Sequence, residues 1–181
     1  DMMSWIMGDK MPLKATGTGG RQKRIDPKYG NIYDHFAIEF EYENNVKGYH
    51  FTRQQAGTPG RNSVEVLGTD GNAIMNIGRD YTITGKNPWK YDGPKNNMYQ
   101  TEHEELFASI RNGKPKNDGE WMAHSTMLAI WARMAGYTGQ TITWDQAFNS
   151  NKTLGPKLED YHWDLKWEDP EIARPGITKF V

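Results

Sequence analysis

Arg21 and Gln22 follow the glycine pair Gly19-Gly20, and Tyr33, His35, Arg53 and Gln54 come within the next three dozen residues or so. These side chains carry guanidinium, amide, phenol and imidazole groups, which exchange hydrogen bonds with a small polar ligand. The glycines allow a ligand to approach the backbone closely. No catalytic acid, base or nucleophile is assigned to any position.

Other chemistries find little support. The five histidines His35, His50, His103, His124 and His162 show no H-x-H or H-E-x-x-H spacing, and the absence of cysteine removes thiolate ligands, disulfides and thiol nucleophiles, so no metal site is expected. Gly17-Thr18-Gly19-Gly20 has no following Lys-Ser or Lys-Thr pair and no helix start, so it predicts a strand-end turn rather than a phosphate cradle. Of the seven tryptophans, Trp89, Trp121, Trp163 and Trp167 fall near predicted loops or helix starts, where an indole stacks on a sugar ring or on its own core.

The 22 basic and 23 acidic residues leave a net charge of −1, which gives no long-range field for nucleic acid or an anionic membrane. No run approaches the roughly 20 apolar residues that cross a bilayer, and cysteine usage does not choose between cytoplasm and periplasm. A chain of 181 residues is expected to form one domain, residues 1–181.

Several elements must position the polar set. Asp1 to Gly8 reads as the last turns of a helix ending at a glycine, so a helix beginning upstream is expected. Lys14 to Gly20 is a short strand and Arg21 to Gly30 a loop. Strict alternation from Phe36 to Tyr42 puts Phe36, Ile38, Phe40 and Tyr42 on one strand face. A two-residue turn at Asn44-Asn45 would pair Phe40 with Tyr49, Ile38 with Phe51, Phe36 with Arg53 and His35 with Gln54, leaving His35, Glu39 and His50 on the polar face. Asp70-Gly71 marks a second hairpin, pairing Leu67 with Ile74 and Val64 with Ile77.

Two helices follow. Thr101 and Glu104 have capping-box spacing ahead of the stripe Leu106, Phe107 and Ile110, with Gly113 beyond its end. The second spans about Asp118 to Tyr137, with Met127, Ile130, Trp131 and Met134 at helical spacing. Both stripes are expected to cover the sheet, and the region from Asn151 is expected to be an extended tail. Strands first and helices later predict an α+β fold, a mainly antiparallel open sheet with helices packed on one face.

Gly19-Gly20-Arg21-Gln22, Asp34-His35-Phe36-Ala37-Ile38-Glu39-Phe40-Glu41-Tyr42, Ser109-Ile110-Arg111-Asn112-Gly113-Lys114-Pro115 and Tyr137-Thr138-Gly139-Gln140 resemble the C-terminal half of Gfo/Idh/MocA oxidoreductases. Ile142-Thr143-Trp144-Asp145-Gln146-Ala147 and Ala173-Arg174-Pro175-Gly176 resemble a subgroup common in Bacteroidetes and Planctomycetes. The resemblance implies the C-terminal domain of glucose-fructose oxidoreductase type, a substrate-binding and oligomerisation domain. It also implies an upstream Rossmann domain binding NAD or NADP, with the catalytic lysine and histidine upstream too, so that this chain alone binds no nucleotide and is inactive. Its substrate would be a sugar, polyol or glycoside, held by Arg21, Gln22, Tyr33, His35, Arg53 and Gln54, and the open sheet face would join two copies as a homodimer. A free-standing carbohydrate-binding or assembly module, or part of an NAD-dependent glycoside-cleaving enzyme, are the alternatives.

Overall fold

The computed structural model describes residues 1–181, which divide into two compact units, one of residues 1, 3–57 and 120–181 and one of residues 2 and 58–119. The fold is α+β with two four-stranded antiparallel sheets, where the sequence pattern pointed to one.

In the first unit, helix α1 (Met2–Met7) ends at Gly8, whose φ of 62° lets its N–H return to the helix carbonyls, a conformation that favours glycine. Strands β1 (Lys14–Gly20), β2 (His35–Glu41) and β3 (Lys47–Arg53) fall close to the expected spans. With the later two-residue strand at Ile142–Thr143 they form a sheet in which β2 lies between β1 and β3, and β1 lies between β2 and that strand.

The β2–β3 connection corrects the expected register. The Tyr42 N–H donates to the Val46 carbonyl at 2.9 Å, so Glu43, Asn44 and Asn45 form a three-residue connection, with both asparagines left-handed at φ 55° and 59°. Asparagine tolerates that region better than most residues do. Phe40 therefore pairs with Gly48, Ile38 with His50, Phe36 with Thr52 and His35 with Arg53. A shift of one residue turns every side chain over, so Tyr49 and Phe51 share a face with Ala37 and Glu39, and His50 lies on the Ile38 face.

One long helix covers the Ile38 face. Helix α3 (Gly119–Thr138) buries Leu128, Trp131, Ala132 and Ala135 against Ala15, Ile38, Phe40, Tyr42 and Ile142. The expected stripe was a residue or so off centre, since Ile130 is exposed and Leu128 and Ala132 take its place. The Trp131 ring meets Phe40 edge to face at 5.6 Å, and its Nε1–H donates to the Ile142 carbonyl at 3.1 Å, which satisfies the one polar group of a fully buried indole. Close approach is allowed by Gly136, where a Cβ would come within 2.5 Å of the Phe36 ring. After Ile142–Thr143, helix α4 (Trp144–Phe148) starts with a full capping box between Thr143 and Gln146.

The second unit holds strands β4 (Ser63–Leu67), β5 (Gly71–Asn76), β6 (Asp80–Gly85) and β7 (Trp89–Lys90), paired in that order. With the strand Ile142–Thr143 numbered β8, the count is complete. Gly68 donates to the Gly71 carbonyl at 2.9 Å, so the β4–β5 turn is Thr69-Asp70 rather than Asp70-Gly71. Moving the turn by one residue shifts the register by two: Val64 pairs with Met75 and Leu67 with Asn72, and each side chain keeps its expected face.

Helix α2 (Met98–Arg111) starts earlier than its capping-box spacing suggested, because the Asn97 side chain accepts from the N–H groups of Tyr99 and Gln100. Its stripe of Leu106, Phe107 and Ile110 stays exposed, and α2 belongs to the second unit; within the first unit it is α3 that packs on the sheet. Beyond residue 151 the chain is mostly irregular, with one short 3-10 turn at Leu158–Asp160.

Candidate functional site

Asp34 stands where the Arg21–Tyr33 loop feeds into β2. Its backbone extends the sheet on both sides: the N–H donates to the Gly20 carbonyl at 2.9 Å, and its carbonyl accepts from Gln54 at 2.7 Å. Its carboxylate is enclosed, with no exposed side-chain surface. Oδ2 accepts the consecutive backbone N–H groups of Gln22, Lys23 and Arg24 at 2.8, 2.6 and 3.0 Å, and Oδ1 accepts from His35 Nδ1 at 2.8 Å and Gln55 Nε2 at 3.0 Å. Successive N–H groups curled around one oxygen form an anion nest, here filled by a side chain of the protein itself.

That geometry decides the charge. Burial raises the Asp34 pKa, but hydrogen bonds from His35 and from the N–H groups of Arg24, Lys23 and Gln22 together outweigh it and hold the carboxyl well below the usual carboxylate range. Asp34 is therefore a fixed anion that organises the loop and both flanking strands.

Most of the expected polar set gathers around it. Gln22 contributes its backbone N–H and accepts from Gln55 at 3.4 Å through its side chain. His35 packs beside the carboxylate, and Arg53 faces His35 across the ladder, where Gln54 had been expected. Gln54 instead lies one residue beyond β3, with its side chain accepting from Arg24 at 3.2 Å. Arg21 turns away to donate to the Gly30 carbonyl at 2.5 Å, which closes the loop on itself.

Tyr33 departs from its expected role. It is buried, its ring stacks on Tyr137 with centroids 4.2 Å apart, its N–H donates to the Tyr137 hydroxyl at 2.9 Å, and its own hydroxyl donates to the Ala173 carbonyl. Enclosed, and bonded through both its backbone N–H and its hydroxyl, Tyr33 ties the start of the sheet to Tyr137 and the C-terminal segment. Three residues absent from the expected set belong to it: Asp34, Arg24 and Gln55. The signal for Asp34 was an acceptor-only residue closing a polar loop whose N–H groups have no regular partners.

Two clefts lie elsewhere. One of about 290 Å³ is lined by Lys14, Thr16, Glu39, Glu41 and Thr141 on the open sheet face, and one of about 490 Å³ in the second unit is lined by Gly60, Arg61, Asn62, Asn76, Ile77 and Arg79. In the first, Lys14 and Lys47 bracket Glu41, whose pKa their hydrogen bonds lower, Lys47 contributing more than Lys14. The charges lining that cleft are paired with one another, whereas the His35 side chain of the Asp34 cluster stays about a third exposed. No three histidine, aspartate or glutamate side chains converge as a metal site.

Comparison with known proteins bears on the fold. No family model matches the chain, and neither does any curated protein. Among solved structures it is similar to aldose-aldose oxidoreductase from Caulobacter crescentus complexed with glycerol, at 15% identity and a TM-score of 0.63 over 78% of this chain and 43% of that one. An oxidoreductase from Agrobacterium radiobacter in complex with NAD+, L-tartaric acid and magnesium matches at 18% identity and 0.58 over 79% and 46%. An oxidoreductase from Thermotoga maritima matches at 22% and 0.56 over 80% and 41%. The chain thus spans less than half the length of these structures, and what it shares with them is the α+β fold.

Proposed function

We propose that this chain is the substrate-side C-terminal domain of a Gfo/Idh/MocA oxidoreductase that uses NAD or NADP to act on a sugar, polyol or glycoside. The observation that carries the proposal is the Asp34 cluster: a fixed carboxylate orders Gln22, His35 and Gln55, the Asp34 backbone carbonyl holds Gln54, and Arg53 lies opposite His35, at one end of a sheet whose fold is that of oxidoreductases. Amide, imidazole and guanidinium groups held on rigid strands recognise neighbouring hydroxyls by direction. Hydride transfer also needs a nicotinamide at van der Waals distance and a base for the hydroxyl proton, which the rest of such a protein would supply. The sheet face bearing Tyr49 and Phe51 would pair two copies of the domain as a homodimer.

The test is turnover by the full-length protein with NAD+ or NADP+ against aldoses, polyols and aryl glycosides, following nicotinamide reduction and identifying products by mass spectrometry. Net reduction with one class supports a dehydrogenase, and sugar release without net reduction supports the glycoside-cleaving variant. Carbohydrate binding with neither reaction overturns the proposal in favour of a binding module.

A further inference from the structure

The Asp34 carboxylate does more than hold a loop. An ionised carboxylate has no proton to give, so His35 Nδ1, 2.8 Å from Oδ1, must be the donor. Gln55 Nε2 lies 3.0 Å from the same Oδ1 and 3.3 Å from Nδ1; as a donor it is served by the oxygen, and it cannot supply the acceptor that a proton on Nδ1 requires. In the neutral ring a proton on Nδ1 leaves Nε2 with a bare lone pair.

The surroundings of Nε2 indicate what that lone pair meets. Position 20 is glycine, and a Cβ there would come within 3.0 Å of His35 Cε1 and 3.1 Å of Nε2, so any other residue would crowd that edge of the ring. The side chain keeps 34% of its surface exposed, enough for a ligand to reach it. A lone pair accepts a hydrogen bond from a hydroxyl or an N–H group, charged or neutral, or coordinates a metal ion. No set of metal ligands converges anywhere in the chain, and Arg53 brings a positive charge to the position paired with His35, which disfavours a further cation there. A neutral donor is what remains, and a hydroxyl is the one that a small polar ligand such as a carbohydrate brings.

We infer that Asp34 is a positioning residue that fixes His35 as the Nδ1–H tautomer, so that His35 Nε2 accepts a hydrogen bond from a hydroxyl of the bound carbohydrate. This rests on the proposed function for the identity of the ligand, but the tautomer follows from the geometry of the chain alone.

The experiment is 15N NMR of the imidazoles in this chain at neutral pH, with D-glucose and glycerol as probes. The expected result is a protonated Nδ1 and an acceptor-type Nε2 at His35, with the Nε2 resonance moving saturably as a probe is added. In Asp34→Asn the carboxamide can donate to Nδ1, so the proton should pass to Nε2, and affinity for the probe should fall about three- to tenfold, the effect of one neutral hydrogen bond. Should the asparagine variant unfold, Gly20→Ala, which crowds Nε2 without touching the dyad, gives the same loss of affinity with the tautomer unchanged. A wild-type His35 protonated on Nε2, or an Nε2 resonance indifferent to both probes, overturns the inference. Failure of the full-length protein either to reduce nicotinamide or to release sugar, with the Nε2 shift intact, would overturn the oxidoreductase and leave this hydrogen bond standing.

Discussion

The Phe51 ring stacks on that of Tyr49 with centroids 6.4 Å apart and planes 7° from parallel, on the sheet face away from the α3 core. Both rings are exposed, Phe51 at 74% of its surface, and their neighbours Lys47, Glu39 and Glu41 form ion pairs that can be met by their own copies across a two-fold axis. Paired aromatics on a flat sheet are the kind of anchor a dimer uses. Light scattering should give the mass of two chains, and Phe51→Arg should raise the dissociation constant at least roughly a hundredfold, about 2.7 kcal/mol. Thr52→Ala, one residue along and on the opposite face, should leave the mass unchanged. A monomeric wild type would remove this face as the contact.

Asp34 should make stability depend on acidity. Its pKa in the folded chain lies below its value of about 3.9 in an unfolded one, so its contribution is complete above about pH 4 and is lost as the pH falls from there towards the lower folded value. Asp34→Asn should cost about 2–4 kcal/mol at pH 7, since an amide cannot accept three N–H groups and a histidine donor as a carboxylate does. Urea unfolding at pH 7 and pH 3 is the measurement: the gap between wild type and variant should narrow at pH 3. A constant gap would mean that the carboxylate charge plays no part.

How much of this was legible beforehand depends on what each feature requires. The strand spans around Lys14–Gly20 and Phe36–Tyr42 were readable because alternation is a local property. The register of β3 was not, because it depends on whether Asn44 and Asn45 form a two-residue turn or share a three-residue connection with Glu43, and the sequence permits both. That one residue decided the face of Tyr49 and Phe51 and the partner of His35. The role of Asp34 was not legible, since it depends on N–H groups from a loop ten residues or more earlier. The burial of Tyr33 was hidden for a similar reason: its cover comes from Tyr137 and Ala173, more than a hundred residues away.

Gly136 should resist substitution although it sits inside a helix. Alanine there would gain about 1 kcal/mol of helix propensity, but its Cβ would lie 2.5 Å from Phe36 Cδ1. Phe36 cannot easily retreat, because its ring stacks on Tyr137 at 5.7 Å and packs against Tyr33 at 5.8 Å. Overpacking should win, with a net loss of about 1–3 kcal/mol for Gly136→Ala. A melting temperature equal to or above that of the wild type would show that the helix moves off the sheet at little cost.

Tyr33 and Gln54 should separate folding from binding. Burial, followed by the nearby Tyr137, raises the Tyr33 phenol above its ordinary pKa, so the hydroxyl stays protonated and donates to the Ala173 carbonyl throughout the physiological range. Tyr33→Phe removes that donor and leaves the carbonyl without it, which should cost about 1–2 kcal/mol of stability. The stacked ring remains in place, so affinity for D-glucose or glycerol should be unchanged. Gln54 carries its hydrogen bond from Arg24 near the surface, so Gln54→Ala should change stability by less than about 0.5 kcal/mol while weakening the probe. Denaturant unfolding and probe titration on both variants give the comparison. A Tyr33→Phe protein of full stability but reduced affinity would return Tyr33 to the ligand-facing set and make its bond to Ala173 incidental.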